Sequence, residues 1–200
     1  MQMIYPEHLA PDEVVARVLG VLTSAPANRA VFLDPRLSLP NFISRVCWKA
    51  GVSPLAVLVA FQRERSLFTL EAGPDSHSWQ YACGVVGQDG PGTTNHRWDG
   101  LLNQILICAE LHAWCMGAGS DSNFGYRPGL WPSAAKRWPR ANTVTILDEN
   151  GKSVKEHTCE TAAEYAQLIF TPHLGLGGPC DTHTLDVNAK IAAAYCGAFL

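Results

Sequence analysis

An apolar segment that carries one carboxylate near its end most constrains how this chain can fold. Every residue from 55 to 61 is apolar, and Glu64 follows one helical turn later. Ser53 is a favourable helix cap, and Pro54 suits the first helical position. The segment therefore predicts a helix that runs to about Leu67.

Glu64 occupies an unusual place in this helix. Helical spacing puts four residues on one face: Val57, Phe61, Glu64 and Phe68. Apolar surroundings favour the neutral form of a carboxyl group, which suits a residue that donates a proton. A structural salt bridge to Arg63, to Arg65 or to a base on another helix is an equally open interpretation.

The length and composition indicate one globular domain over residues 1–200. Hydrophobic residues make up 47% of the 200 residues and charged residues 16%, which is enough apolar material for a core. The net charge is -3, from 15 basic and 18 acidic residues, without a long basic run. We therefore expect no nucleic-acid partner and no membrane partner, and we expect a monomer.

The first residues, Met-Gln-Met-Ile-Tyr-Pro-Glu, lack the basic start and apolar stretch of a secretory signal. No apolar run reaches the roughly 18 residues of a membrane span. We expect synthesis without a signal peptide. Seven cysteines are many for a cytosolic chain, and an odd number cannot pair completely, so the redox compartment stays open.

The remaining pattern predicts a mainly α (α+β) fold with one small β-hairpin as its only sheet. Apolar periodicity predicts further helices at residues 11–23, 41–50, 101–116, 160–170 and 184–199. Gly51 fits a left-handed helix end. Asn150-Gly151 lies between two β-branched segments, residues 143–147 and 152–155, and this arrangement is typical of a hairpin turn.

Two long polar stretches, residues 71–99 and 117–140, are predicted to be loops. Loops of this length in a compact domain are commonly functional. The second contains Phe124, Tyr126, Trp131 and Trp138, and aromatic faces stack well on sugar rings. We expect the two loops to form the walls of a binding groove. The alternative is that these aromatic residues simply cover the edge of the core.

Four segments, in this order, resemble the lysozyme-like peptidoglycan hydrolases and lytic transglycosylases. Residues 54–69 resemble the helix that delivers the catalytic Glu in that superfamily. Residues 84–88, Gly-Val-Val-Gly-Gln, look like its Gly-Leu-Met-Gln loop, and residues 100–106 are similar to the Asn-containing start of the helix that follows. Residues 161–173 resemble a helix and a Tyr-Thr-Pro-His turn of secreted bacterial relatives.

The resemblance implies a lysozyme-like helical domain that cleaves the β-1,4 bonds of peptidoglycan glycan strands, as a muramidase or a lytic transglycosylase. Glu64 is then the general acid, Gln88 holds the sugar, and Asn103 braces the loop. The full set of expected substrate-binding residues is Gln88, Asp89, Tyr81, Asn103 and Trp131. The sequence departs from the pattern at Arg65, where Ser is usual, and at Gly87, which is an added residue.

A second carboxylate is left open among four loop residues: Glu71, Asp75, Asp89 and Asp99. Asp89 is the first choice because it is next to Gln88. If one of them faces Glu64, water is the attacking group, and the separation of the two carboxyls sets the stereochemical outcome. If none does, the substrate's own hydroxyl attacks and an anhydro sugar forms.

The cysteines and histidines offer other sites. His157, Cys159, Cys180 and His183 include donors suitable for zinc, but the spacing is not that of a familiar finger, so we expect no metal and no cofactor. Disulfides between Cys159 and Cys180, or between Cys180 and Cys196, are preferred.

A cysteine nucleophile is a further alternative. It would pair Cys83 or Cys115 with His77, His96 or His112.

Two functions from other classes also remain open. The first is a chitinase-like or chitosanase-like hydrolase on a related scaffold, and the second is a non-catalytic glycan-binding module. Without a signal peptide, an enzyme of the bacterial cell wall needs help to reach its substrate. That requirement suits a phage endolysin released through a holin, a virion protein or an injected effector.

Overall fold

A computed structural model of the chain describes residues 11–25, 28–72, 75–90, 93–117, 137–148, 150–170 and 189–195. Its helices are α1 (Pro11–Thr23), α2 (Arg29–Phe32), α3 (Leu39–Ala50), α4 (Leu55–Arg65), α5 (Ser76–Gln80), α6 (Leu101–Cys115) and α7 (Ala162–Phe170). Residues 189–195 are also helical. The strands are β1 (Gly87–Gly90), β2 (Thr93–Asn95), β3 (Thr143–Leu147) and β4 (Ser153–Thr158). The predicted mainly helical class is confirmed.

The helix bounds follow the local signals in the sequence. Helix α1 has the predicted bounds, and α3 begins two residues earlier than predicted. Helix α3 ends at Gly51, which adopts a φ of 73° and donates its N–H to the carbonyl of Trp48 at 3.1 Å. A glycine adopts this left-handed conformation at low cost, so the predicted helix end is confirmed.

Helix α4 is the central helix of the fold. All of its residues from Leu55 to Arg63 are buried, and it packs against α6. The sequence predicted one apolar face, but the structure surrounds the helix on every side, because α1, α2, α3 and α6 share the same hydrophobic core. The polar Gln62 and Arg63 are buried as well, and Glu64 and Arg65 become partly exposed where the helix leaves that core.

An aromatic cluster closes the core beside α4. The ring of Phe32 stacks on Phe61 with centroids 5.8 Å apart, and it also contacts Phe68 at 5.6 Å and the edge of Trp79 at 5.6 Å. Such pairs stabilise a core beyond the burial of their area. The cluster ties the middle of α4 to α2 and to α5.

The prediction that residues 71–99 form one long loop is wrong. The described part of this stretch contains α5, the antiparallel pair β1–β2 and a single turn of 3-10 helix, His96–Trp98. The β1–β2 pair is a second small sheet, so the expectation of a single hairpin is also wrong. The signal is weak in the sequence because β1 contains two Gly and one Asp and β2 ends in Asn, all residue types that are depleted in strands, and only Thr93 and Thr94 favour them.

The predicted hairpin at residues 143–155 is confirmed, and its second strand extends to Thr158. The carboxylate of Asp148 accepts the N–H groups of Asn150 at 2.9 Å and Lys152 at 2.8 Å, while Gly151 adopts a φ of 76°. The hairpin and α7 enclose a second, smaller core of buried residues: Val144, Ile146, Cys159, Tyr165 and Leu168.

Within the described ranges, no single helix is both long enough and apolar enough to span a membrane. Helices α3 and α4 reach the required length only when they are taken together, and they are bent by 114° at their junction.

Candidate functional site

Glu64 lies in the last turn of α4, where the buried helix meets the surface. The side chain of Glu64 is 23% exposed, whereas that of the preceding Arg63 is 1% exposed. The helix ends one residue later because Ser66 adopts a left-handed φ of 52°. A partly exposed carboxylate is thus held at the end of a rigid, buried helix.

Gly84 approaches the Glu64 carboxylate so closely that no side chain fits between them. A Cβ atom on Gly84 would lie 2.4 Å from Oε2 of Glu64 and 2.7 Å from its Cδ. Gly84 also adopts a φ of 71°, which strains any other residue. Its N–H bonds to the carbonyl of Tyr81 at 2.8 Å. The backbone at the start of residues 84–88 therefore lies directly against the carboxylate of Glu64.

The amide of Gln104 holds this loop in place. Gln104 lies on α6 and is fully buried. Its Oε1 accepts the N–H groups of Cys83 at 3.2 Å and Val85 at 3.1 Å, and its Nε2 donates to the carbonyls of Val85 and Trp98, both at 2.7 Å. One side chain thus satisfies four backbone groups and fixes the residues on both sides of Gly84.

The bracing role that the resemblance gave to Asn103 is therefore performed by its neighbour Gln104. Asn103 is exposed, and its Nδ2 donates to the carbonyl of Asp99 at 2.9 Å, one turn back along the chain. The two residues point to different sides of α6, as adjacent helical positions do. The sequence signal for Gln104 is weak, because the polar Asn103 directly precedes it in the same apolar run.

Two arginines flank Glu64. Arg63 lies beside the carboxylate, with its Nε 3.4 Å from Oε1, and its Nη1 donates to Oε1 of Gln167 on α7 at 2.7 Å. Burial lowers the pKa of Arg63, and the negative charge of Glu64 opposes this effect. Arg65, at the position where the family pattern has Ser, donates from its Nε to the carbonyl of Tyr81 at 3.1 Å. Both arginines thus connect the end of α4 to neighbouring elements.

Tyr81 is placed beside this site but is largely covered. It is 6% exposed, its ring contacts His77 at 4.8 Å, and its hydroxyl oxygen accepts from Nε2 of Gln80 at 3.4 Å. Burial and the nearby carboxylate of Asp99 raise the pKa of Tyr81. The predicted sugar contact through Tyr81 therefore has little exposed surface in this structure.

Two of the four candidates for a second carboxylate already make structural hydrogen bonds. Asp75 caps α5 by accepting the N–H of Ser78 at 2.7 Å. Asp99 accepts from Gln80 and pairs with Nδ1 of His96 at 2.7 Å.

Glu71 is exposed. Gln88 and Asp89 lie on β1, where Gln88 pairs with Thr94, but their side chains fall outside the described residues. Trp131, together with residues 118–136 of the predicted groove wall, also lies outside them.

A buried group of thiols lies beneath the site. Cys83 and Cys108 are both fully buried here, and the Sγ of Cys108 is 3.7 Å from Nδ1 of His112. Burial raises the pKa of Cys108, but the contacts with Cys83, His112 and Arg63 outweigh it and lower this pKa overall. Both predicted nucleophiles, Cys83 and Cys115, are buried, as is His112, so a substrate has no access to them, which argues against the cysteine-nucleophile alternative.

The remaining thiols bear on disulfides and metals. Cys47, Cys115 and Cys159 are buried free thiols, as are Cys83 and Cys108. Because Cys159 is a free thiol, the structure contradicts the predicted disulfide between Cys159 and Cys180. Cys180, His183 and Cys196 lie outside the described residues. Among the described residues, one group has donors close enough to hold a metal ion: His157, Cys159 and Glu164.

No match to this chain was found among models of protein families, curated proteins or solved structures.

Proposed function

We propose that this chain cleaves the β-1,4 glycosidic bonds of peptidoglycan glycan strands, as a muramidase or a lytic transglycosylase, with Glu64 as the general acid. The observation that carries the proposal is the contact between Gly84 and the carboxylate of Glu64. The two residues are distant in sequence and belong to two segments that resemble that superfamily. A contact between them is what a shared catalytic site requires.

The two oxygens of the Glu64 carboxyl group have different neighbours. Oε1 lies on the side of Arg63, while Oε2 lies against the backbone at Gly84. The protonated carboxyl donates its proton to the glycosidic oxygen as the bond between that oxygen and the sugar carbon breaks. The resulting carboxylate then accepts a proton from the hydroxyl group that attacks the cation-like sugar.

The loop after Gly84 is suited to hold the sugar because its backbone is already fixed. Gln104 bonds to Cys83 and Val85, so substrate binding does not have to order this segment. Val86, the next residue, is 43% exposed and presents an apolar surface beside the site. Gln88 follows on β1, and we expect its amide to bind the sugar that is cleaved.

The source of the attacking hydroxyl separates the two mechanisms. Asp75 and Asp99 are engaged in structural hydrogen bonds, which favours attack by the substrate's own hydroxyl and hence an anhydro product. Asp89, the first choice, and the exposed Glu71 are the candidates that would instead activate water. Mass spectrometry of digested peptidoglycan decides between them, because the anhydro product lacks one water. The same analysis on chitin oligomers tests a chitinase-like or chitosanase-like specificity.

The decisive experiment is Glu64→Gln, which keeps the side-chain volume and removes the transferable proton. Loss of general acid catalysis lowers the rate of wall clearing by about a hundredfold to ten-thousandfold. Wall binding and the far-ultraviolet circular dichroism spectrum should not change. Glu160→Gln, at an exposed carboxylate before α7, is the matched control and should clear walls at the wild-type rate.

A non-catalytic glycan-binding module is the second candidate, and the ion pair between Arg63 and Glu64 favours it. If the chain is such a module, neither the wild type nor Glu64→Gln clears walls, and Glu64→Gln lowers only the melting temperature. A folded Glu64→Gln variant that clears walls at the wild-type rate rules out the catalytic role.

Gln88→Ala tests the binding role of the loop. Removing the amide takes away hydrogen bonds to the sugar, so turnover should fall while the melting temperature stays within about 2 °C of the wild type. Lysis at the wild-type rate, measured at matched protein concentration, would remove Gln88 from the site.

A further inference from the structure

Three potential metal donors of different chemistry meet where the β3–β4 hairpin contacts α7. His157 lies on β4, Cys159 follows that strand, and Glu164 lies in the first turn of α7. One ligand atom from each residue lies within 4.8 Å of the other two. The sequence alone grouped His157 and Cys159 with Cys180 and His183, and it gave no reason to include Glu164.

The backbone around these donors is held by hydrogen bonds at each point. The N–H of Cys159 donates to the carbonyl of Asn142 at 2.7 Å. The N–H of Glu164 donates to the hydroxyl of Thr161 at 3.1 Å, and Oε2 of Glu164 accepts the N–H of Glu160 at 2.8 Å. This is a capping arrangement that fixes the start of α7. The three donors therefore come from a preformed scaffold.

Both the donor set and the exposure suit zinc. An imidazole nitrogen, a thiolate and a carboxylate are the three ligand types that bind Zn²⁺, whereas a thiolate disfavours Ca²⁺ and Mg²⁺. The Cys159 residue is 3% exposed, while the side chains of His157 and Glu164 are each 36% exposed. The buried thiol thus forms the floor of the site, and the other two donors leave a fourth position open to water.

We propose that His157, Cys159 and Glu164 bind one zinc ion, which clips the β3–β4 hairpin to the N-terminal turn of α7. Nε2 of His157 and Oε1 of Glu164 are now 2.7 Å apart and share a hydrogen bond. Zinc-ligand bonds of about 2.0–2.3 Å separate neighbouring ligand atoms by roughly 3.5 Å, so small side-chain rotations suffice. The proposal replaces the sequence-based expectation of no metal.

Zinc binding at this site requires only the movement of protons and no redox step. Zinc replaces the hydrogen bond between His157 and Glu164, and the ring proton of neutral His157 moves to Nδ1, so that Nε2 presents its lone pair. Cys159 binds as a thiolate and releases one proton to solvent.

The site is structural in this proposal, and it is independent of the proposed glycosidase activity. It anchors the start of α7, and Gln167 on the same helix accepts from Nη1 of Arg63 at 2.7 Å. Zinc at 100 times its dissociation constant should raise the melting temperature of the chelator-treated protein by roughly 5–10 °C.

Cobalt titration of the full chain tests the assignment, because Co²⁺ reports its ligands by absorption. One equivalent should give a sulfur-to-cobalt charge-transfer band in the near ultraviolet, together with the intense visible bands of tetrahedral cobalt, and zinc should bleach both. Cys159→Ser should lose the charge-transfer band. Cys115→Ser, at another buried free thiol, is the matched control and should keep it.

His157→Gln covers the case in which Cys159→Ser does not fold, since His157 is partly exposed. It should weaken cobalt binding at least tenfold. The proposal is overturned if no charge-transfer band forms, if the band persists in Cys159→Ser, or if His157→Gln binds cobalt with wild-type affinity.

Discussion

Substituting Gly84 by Ala moves the carboxylate of Glu64 without changing Glu64 itself. The new Cβ would lie 2.4 Å from Oε2, and ordinary contact begins at 3.4 Å, so the carboxylate must retreat by about 1 Å. Because Glu64 carries this group at the end of a flexible side chain, the side chain rather than the backbone gives way. The fold should survive, but the carboxyl group should lie in the wrong place.

The expected effects on stability and on activity differ in size. A left-handed φ costs a residue with a Cβ about 1–2 kcal/mol, which corresponds to a loss of roughly 2–8 °C in the melting temperature. A misplacement of about 1 Å at a reacting group costs on the order of a hundredfold in rate. Activity should therefore fall far more than stability.

Gly51→Ala is the matched control because Gly51 has a φ of 73° and an added Cβ there meets nothing within 4 Å. The two variants share the conformational cost, and only Gly84→Ala has the clash with Glu64. Wall clearing at matched concentration and thermal melting are measured for both. If Gly84→Ala clears walls as fast as Gly51→Ala does, the carboxylate at Gly84 is not the catalytic group.

Two further predictions concern the packing around the site. Gln104→Leu keeps the side-chain volume but leaves four buried backbone groups of Cys83, Val85 and Trp98 without their partner. The free energy of unfolding, measured in urea, should therefore fall by roughly 3 kcal/mol or more, against less than about 1 kcal/mol for the exposed Asn103→Ala. Equal losses in the two variants would refute the bracing role. Hydrogen bonds from Gln80 and His96 outweigh burial and lower the pKa of Asp99. Its ionised form therefore stabilises the fold above the unfolded-state pKa of about 3.9, and this contribution is lost as the pH falls through the lower folded-state value. The urea midpoint should fall on acidification below about pH 4, and it should fall less in Asp99→Asn; parallel curves for the two proteins would contradict this.

The sequence by itself determined the elements whose signals are local. Helical periodicity gave α1 its observed bounds, and the glycine at position 51 ended α3 where a left-handed residue was expected. Asn150-Gly151 marked the turn of the β3–β4 hairpin. These features depend on side-chain periodicity and on the backbone freedom of glycine, and both act over a few neighbouring residues.

Only the tertiary structure decided which distant residues meet. In the structure, α4 is buried on every side and Gly84 lies against the carboxylate of Glu64. Gln104, rather than Asn103, forms the hydrogen bonds that hold the backbone next to Gly84. It also added Glu164 to His157 and Cys159. Each of these contacts joins elements that are separate in sequence, and the packing of helices and strands around a common core determines which side chains touch. Local periodicity does not determine that packing. The sequence therefore predicted a carboxylate at the end of a helix, but it could not predict which groups surround that carboxylate.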